Sequence, residues 1–288
     1  MTNKNILENI KKLREITGVG FSDCKLAITE NNGDIEKSIE YLRKKGIAKA
    51  NKKMSRGAAD GLVLLYEKNN NISLIEINSE TDFVAKNKDF IAFCKEISEI
   101  NFQVKSDLIS LKSQKMKNGK TVDENLISLI SKIGEKITIR RSKYFNDQGI
   151  NFSYVHNSSE KNVGKVISIV QLSKTNKKDL KDVGTKLAMH VAAQAPIAID
   201  ENGIGKEVLD KELEIIKEEL KNTGKKNDMI EKIANGKIKK FISDNTLLNQ
   251  VWIMDTKMKV SQVIKEYSDG DEIKILDFVR FKVGEGID

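Results

Sequence analysis

Apolar residues recur at helical spacing near the start of the chain. Ile6, Ile10 and Leu13 follow one another at i, i+4 and i+7, so they share one face of a helix. Ser22 or Asp23 carries the side chain of a helix cap and precedes a second apolar stripe. The pattern therefore predicts two short helices in succession.

A third helix and a basic segment follow. Asp34 can cap this helix, and lysines followed by Gly46 are typical of its end. Three helices this short predict a small bundle, a module that binds a partner more often than it catalyses a reaction. Residues 48–56 are polar and basic, which favours a solvated tether, with a phosphate-binding patch as the alternative.

The periodicity changes from helix to strand at about residue 60. Residues 61–66 and 72–77 are two apolar runs, and the asparagines at 69–71 tolerate the left-handed conformations of a turn, which predicts a β-hairpin. The elements predicted next are a helix with Phe90, Phe93, Cys94 and Ile97 on its apolar face, a helix over residues 123–134 and a strand over residues 137–140.

The second half repeats this order of elements. Residues 152–155 and 166–172 predict two strands, and residues 179–193 predict a helix that Pro196 brings to an end. Residues 279–283 alternate between apolar and polar and predict a last strand. A strand pair with helices, found twice, favours an α+β fold with two related subdomains.

A helical insertion separates Pro196 from the last strand. Its heptad seam consists of Leu209, Leu213, Ile216 and Leu220. A turn at residues 222–224 and a second helix from Asp228 complete an antiparallel hairpin. The charged outer faces of this hairpin predict that it projects from the core.

The segment INSETDFVAKN, residues 77–87, joins the hairpin to the following helix. Phe83, next to Asp82, has two interpretations. Its ring can pack beneath the helix as a hydrophobic staple, or it can stand exposed on a rigid loop, where an aromatic residue is an interface anchor. The residue pattern alone favours the staple.

No motif for catalysis, or for metal or nucleotide binding, is present. A zinc site needs about four ligands at close spacing, but the two histidines, His156 and His190, and the two cysteines, Cys24 and Cys94, form no CxxC or HExxH pattern. The string NGKT at residues 118–121 lacks the earlier glycine of a phosphate-binding loop. We therefore expect no cofactor, no bound metal and no catalysed reaction, and we expect both histidines to be structural.

The charge balance favours a solvated surface over a nucleic-acid interface. The formal net charge is +8, from 50 Lys+Arg against 42 Asp+Glu, but only six of the 50 are Arg. Nucleic-acid recognition favours Arg, whose planar fork binds phosphates and bases in a bidentate manner. A nucleic-acid-binding protein that uses this basic surface remains the alternative function, and we expect no direct nucleic-acid contact.

Length and composition favour two or three domains in a cytoplasmic protein. The 288 residues suit that number of domains, and no run of about 20 apolar residues predicts a membrane span. The start MTNKNILENIKKL has the features of neither a signal peptide nor a transit peptide. Two cysteines are typical of a reducing compartment, so we expect a cytoplasmic location and no membrane partner.

Five blocks of sequence, in order from Ile6 to Ile287, resemble the elongation factor Ts family. They are LREITGVGFSDCKLAI with NGDIEKSIEYLRKKG, TDFVAKN, IGEKITIRR, MHVAAQAP and RFKVGEGI. TDFVAKN matches a signature of that family without departure. Each block is a weak signal by itself, whereas five in the expected order are specific.

The resemblance implies a division of the chain. Residues 1–47 would be a ubiquitin-associated-like three-helix bundle and residues 48–57 a basic linker. Residues 58–145 and 146–288 would be the two core subdomains, with the coiled-coil hairpin inserted at about 205–243. The sequence stops soon after KVGEGI, so the partner contact of a further helix that some family members carry is not implied here.

The resemblance also implies a function. The chain would be a non-catalytic guanine-nucleotide exchange factor that binds elongation factor Tu with GDP, disturbs its Mg²⁺ site and promotes GDP release, so that GTP can rebind. The family's TDFV segment enters the partner near Mg²⁺; here it is Thr81, Asp82, Phe83 and Val84. Phe83 would be a wedge between partner helices, with Asp82 a polar contact beside it.

Two further positions are implied near the partner surface. They are Phe21 and Lys25 of the first family block. Packing of Phe21 inside the bundle is the alternative for that side chain. Self-association through the core or the hairpin stays open.

Overall fold

The first three helices pack as a bundle around a small apolar core. The computed structural model describes residues 3–158, 160–175, 179–221, 227–268 and 272–287. The bundle helices are α1 (Asn3–Thr17), α2 (Phe21–Glu30) and α3 (Ile35–Lys53). Gly18 after α1 has φ +66°, and, as predicted, the side chain of Asp34 caps α3 by accepting a hydrogen bond from the Lys37 N–H. The core of the bundle includes Ile10, Leu13, Cys24, Ile28 and Leu42.

The start of α2 differs from the prediction. Its cap position is Gly20, not Ser22 or Asp23, and no side chain bonds there. The carboxylate of Asp23 instead pairs with Lys45 at 3.2 Å and Lys49 at 2.6 Å, both on α3. These ion pairs hold α2 against α3.

The end of α3 also differs, because the helix continues past Gly46 to Lys53. The predicted tether is therefore largely helical. An added Cβ at Gly46 would lie 3.4 Å from Ser131 Oγ in the helix Val122–Ile133, and Ala50 is buried against the main core. A glycine permits this close approach, so tertiary packing prolongs a helix that the sequence pattern ends.

The first half of the core contains the predicted hairpin. Its elements are β1 (Asp60–Lys68), β2 (Asn71–Ser79), α4 (Asp82–Ala85), α5 (Lys88–Gln103), α6 (Leu108–Ser113), α7 (Val122–Ile133) and β3 (Ile137–Phe145). Asn69 and Asn70 have positive φ in the hairpin turn, and Asn87 caps α5 through the N–H groups of Asp89 and Phe90. The pattern does not predict α4 and α6, which are fewer than seven residues long.

The second half contains the predicted strands and the helical hairpin. Its elements are β4 (Ile150–His156), β5 (Val163–Gly164), β6 (Val166–Leu172), α8 (Lys181–Gln194), α9 (Lys206–Lys221), α10 (Asn227–Asn245), α11 (Val260–Ser268) and β7 (Ile275–Lys282). The hairpin helices pack through a cluster of their own that includes Ile216, Leu220, Ile230 and Ala234. The turn predicted at residues 222–224 lies outside the described residues.

Two antiparallel sheets stack between outer helices, which makes the fold α+β. The first sheet has the order β3-β2-β1-β5 and the second β4-β6-β7. Leu64 and Ile75 face the core under α5, whereas Leu74 on the other face packs in a cluster with Ile167 of β6. Since β5 comes from the second half and pairs with β1, the first sheet is not built from one half alone, as two separate repeats would predict.

A buried carboxylate fastens the end of β7 to the first sheet. Glu76 on β2 accepts hydrogen bonds from Arg141 Nε at 2.5 Å, Arg140 Nη1 at 3.1 Å and the Gly284 N–H at 2.8 Å. A register shift beside Glu76 brings both arginines to it. Burial is the largest influence on the pKa of Glu76 and raises it. The hydrogen bonds together outweigh burial and lower the pKa, and the largest contribution among them comes from the Gly284 N–H. Gly284 has φ +73°, and a Cβ there would lie 2.0 Å from the carbonyl oxygen of Ala59.

Candidate functional site

The chain leaves β2 through a single turn of helix, which we call the Phe83 turn and define as residues 80–86. The hydroxyl of Ser79 donates to the carbonyl oxygen of Thr81 at 3.0 Å. Thr81 is extended, with φ −129° and ψ 159°, and α4 starts at the next residue. The N–H groups of Lys86 and Asn87 close the turn by donating to the carbonyls of Phe83 and Val84.

The side chain of Phe83 is 79 % exposed. The next two residues, Val84 and Ala85, are each 5 % exposed and belong to the main core with Phe90. The hydrophobic-staple interpretation requires a buried ring, so it is wrong. The core holds the backbone of the turn while the aromatic ring stands in solvent.

Glu135 holds the start of the Phe83 turn. Its carboxylate accepts the Thr81 N–H at 3.1 Å, and it accepts the Thr81 hydroxyl at 2.9 Å through Oε1 and 3.1 Å through Oε2. Glu135 follows Gly134, whose left-handed conformation (φ 88°) ends α7. The predicted helix end at residue 134 is therefore also the turn that presents this carboxylate.

Glu80, the residue before Thr81, makes a second set of bonds to the same region. Its Oε1 accepts the Lys136 N–H at 2.6 Å, and its carboxylate pairs with Arg56 at 3.3 Å. The ammonium of Lys136 donates to the carbonyl oxygens of Met54 at 2.8 Å and Arg56 at 2.6 Å. The chain just after α3 is thus bonded to the Phe83 turn through residues 135–136.

Asp82 presents a charged carboxylate beside the exposed ring. Its Oδ2 accepts from Lys86 Nζ at 2.7 Å, one helical turn away, and its side chain is 46 % exposed. The hydrogen bond from Lys86 lowers the pKa of Asp82, and the same bond raises the pKa of Lys86. Both groups are therefore charged at neutral pH, and the pair is open to competition from another polar group.

Phe21 and Lys25 lie on a different element, one turn apart on α2. Phe21 is 46 % exposed and is absent from the apolar cluster of the bundle, and Lys25 is exposed. The packing alternative for Phe21 is therefore wrong. Four of the predicted site residues share the Phe83 turn, and these two belong to the bundle.

Much of the basic segment at residues 48–56 is engaged inside the molecule. Lys49 pairs with Asp23, Lys53 donates to the carbonyl oxygen of Gly134, and Arg56 pairs with Glu80. Cations already paired with acidic and carbonyl groups are less available to phosphates. A nucleic-acid function is not favoured.

His190 has the structural role that the sequence predicts. It is fully buried, stacks on Trp252 with 5.2 Å between ring centroids, and its Nδ1 accepts the Ile253 N–H at 3.4 Å. Nε2 therefore carries the proton and donates to Gln250 Oε1 at 3.0 Å. Burial lowers the pKa of His190, and the bond to Gln250 opposes this shift.

The described residues contain neither a metal-ligand cluster nor a membrane-spanning helix. Within those ranges, no group of three His, Cys, Asp or Glu side chains is placed to hold a metal ion. Of the helices in the described part of the chain, none has the length and apolar content needed to cross a membrane.

The sequence pattern did not reveal the supports of the Phe83 turn. Glu80, Glu135 and Lys136 are ordinary charged residues when they are viewed along the chain. The signal available for two of them was their place in the block IGEKITIRR, directly after a helix-ending glycine. That block predicted a strand start but no partner for Thr81.

Comparison with known proteins gives consistent results over nearly the whole chain. Residues 80–285 match the family model described as Elongation factor TS. The chain is 42 % identical over 284 residues to the elongation factor Ts of Xanthobacter autotrophicus, 39 % over 285 to that of Rickettsia bellii and 38 % over 281 to that of Gluconobacter oxydans. Each alignment covers 97 % of this chain and 92 % of the relative.

These matches define the class of the protein as a translation elongation factor. The chain belongs to the elongation factor Ts family. The family model begins at Glu80, the first residue of the Phe83 turn, and the relatives extend the match across the bundle.

Proposed function

We propose that the protein is a guanine-nucleotide exchange factor for elongation factor Tu. It binds the GDP-bound partner in the cytoplasm, disturbs the partner's Mg²⁺ site and promotes GDP release, after which GTP rebinds. The observation that carries the proposal is the 79 % exposure of Phe83 on a turn whose next two residues are buried in the core. An apolar ring held out by a rigid support is suited to enter a partner.

The chemistry of Mg²⁺ explains why a wedge is sufficient. Mg²⁺ requires near-ideal octahedral geometry and bridges protein groups to phosphate oxygens. A ring that separates two partner helices displaces the protein ligands, so the nucleotide loses much of its affinity. Asp82 is charged and lies next to Phe83, where it can compete for polar groups that the wedge displaces.

Exchange requires differential affinity and no bond chemistry. The factor must bind the nucleotide-free partner more tightly than the GDP-bound partner. By linkage, it weakens GDP binding by the same factor by which GDP weakens binding of the exchange factor. GTP then refills the empty site and displaces the factor, which completes the cycle.

The remaining elements supply docking surface in this proposal. The three-helix bundle is the ubiquitin-associated-like module that docks on the partner's nucleotide-binding domain, with Phe21 and Lys25 near the contact. The hairpin of α9 and α10 has an apolar cluster separate from the core clusters, which suits the coiled-coil protrusion.

The test is release of a fluorescent GDP analogue from elongation factor Tu in the presence of Mg²⁺. Wild-type protein should accelerate release in proportion to its concentration, and Phe83→Ala should remove most of the acceleration. Ile109→Ala is the matched control, since Ile109 is 86 % exposed on the same half of the core but lies outside the turn. Equal release rates with wild-type protein and with Phe83→Ala would contradict the wedge.

A further inference from the structure

We propose that Glu135 is a positioning residue for exchange, which fixes the direction in which Phe83 leaves the core. This inference rests on the proposed exchange function. Glu135 lies 54 residues from Thr81 along the chain, yet its carboxylate accepts hydrogen bonds from both the N–H and the hydroxyl of Thr81. Thr81 is the residue from which α4 starts, so this contact sets where the turn begins.

The Phe83 turn depends on outside support because it is so short. α4 has four residues, and a single helical turn gains too few hydrogen bonds to offset the entropy of ordering it. Thr81 provides no side-chain cap of its own, and its hydroxyl instead donates to Glu135. Val84 and Ala85 fix the far side of the turn in the core, and Glu135 fixes the near side.

Two adjacent pairs of residues make the support directional. Thr81 donates to Glu135, and Lys136 donates through its N–H to Glu80. Residues 80–81 therefore bond to residues 135–136, and each of the two segments donates one contact and accepts the other. A slip of one residue would break both contacts, so the direction of the Phe83 ring is specified by this pairing.

The first experiment separates the maximal rate of GDP release from the half-saturating concentration of the exchange factor. Glu135→Ala should lower the maximal rate about tenfold, because a misplaced reacting or wedging group costs rate more than affinity. Glu135→Gln, which keeps the shape and one acceptor, should fall between wild type and alanine. A maximal rate for Glu135→Ala equal to that of the wild type would overturn the inference.

The control is Glu124→Ala, which removes a carboxylate with the same bonding pattern elsewhere. Glu124 accepts the Thr121 N–H at 3.0 Å and the Thr121 hydroxyl at 3.2 Å at the start of α7. It also pairs with Arg43 in an exposed ion pair, a contact of small energy. Glu124→Ala should keep the wild-type maximal rate of GDP release. An equal loss of maximal rate in Glu124→Ala and Glu135→Ala would show that Glu135 has only a general structural role.

A double variant shows whether Glu135 acts through Phe83. In a Phe83→Ala background, Glu135→Ala should cause no further loss of rate, because the ring that it positions is gone. If the double variant lost rate by the product of the two single-variant factors, Glu135 would act independently of Phe83, which would contradict the inference.

Hydrogen exchange of the free protein tests the positioning without the partner. The amides of Thr81, Lys86 and Asn87, which are hydrogen-bonded in the turn or just after it, should exchange about tenfold faster in Glu135→Ala than in wild type, whereas the amides of β1 and β2 should keep their protection. If wild-type protein does not accelerate GDP release from elongation factor Tu, the proposed exchange function is wrong. The hydrogen-exchange measurement still decides whether Glu135 orders the turn. Unchanged protection at the amides of Thr81, Lys86 and Asn87 would refute the positioning role itself.

Discussion

Phe83 and Phe21 both lie in the first turn of a helix and both expose an aromatic ring, but they are supported differently. Phe83 is 79 % exposed on a four-residue helix that is fixed by the main core and by Glu135. Phe21 is 46 % exposed on a ten-residue helix that starts at Gly20 without a side-chain cap, in a bundle with a small core. The ring on the shorter helix therefore has the more rigid support, which makes Phe83 the better wedge, while Phe21 is better suited to docking.

The largest effect should come from emptying the core of the bundle. Leu13 is fully buried there, so Leu13→Ala should cost about 3–5 kcal/mol of local stability through lost burial and a cavity. Hydrogen exchange should speed up across α1, α2 and α3 and leave the Phe83 turn protected. Equal loss of protection at the amides of Thr81, Lys86 and Asn87 would show that the two regions are one cooperative unit.

Alanine at the two phenylalanines should separate rate from affinity. Phe83→Ala should lower the maximal rate of GDP release roughly 100-fold, as expected for an aromatic anchor worth about 2–3 kcal/mol. Phe21→Ala should instead raise the half-saturating concentration about fivefold and leave the maximal rate intact. Titration of each variant against labelled GDP release measures both parameters, and a maximal-rate loss for Phe21→Ala would erase the distinction.

The two regions should also respond differently to pH. Both histidines lie outside the bundle, and the folded-state pKa of His190 is lowered by burial. As the pH falls, the unfolded chain therefore takes up a proton at His190 before the folded chain does. The contribution of His190 to the free energy of unfolding is complete above about pH 6.5. Below that pH it falls by up to about 1.4 kcal/mol per pH unit, until the pH reaches the folded-state pKa of His190.

Fluorescence of Trp252, which stacks on His190, reports this transition during urea unfolding. The free energy of unfolding of the core should fall as the pH is lowered below about 6.5. His190→Gln should be less stable at neutral pH but should lose this dependence. A dependence that persists in His190→Gln would assign it to other groups.

The smallest effect should come from the ion pair between the two regions. Arg43 on α3 pairs with Glu124 on α7, and the Arg43 side chain is 64 % exposed. Arg43→Ala should change the free energy of unfolding by less than about 1 kcal/mol, and high salt should remove the difference. A larger loss would show that this pair holds the bundle against the core.

Local signals predicted much of the fold. Asp34 caps α3 and Gly134 ends α7, because caps and left-handed turns depend on neighbouring residues alone. The length of α3 was not predictable, since Gly46 is tolerated through a contact with Ser131, far along the chain. The pairing of β5 with β1 depends equally on residues a hundred positions apart.

The candidate site was predicted in identity but not in geometry. The motif resemblance selected Thr81 to Val84, whereas the residue pattern favoured a buried Phe83. A single turn of helix is too short to show a period, so the pattern cannot assign its faces. The direction of the ring depends on Glu135, which no local signal connects to Thr81.

The contact between Glu76 and Gly284 has a consequence for the order in which the protein assembles. The two residues are 208 positions apart, which at about 5–20 residues per second separates their synthesis by about 10–40 s. The bonds that shape the Phe83 turn join residues 54–136 and can form within that interval. The nascent chain can therefore order its wedge early, whereas the fastening of the two sheets at Glu76 must wait until Gly284 has emerged.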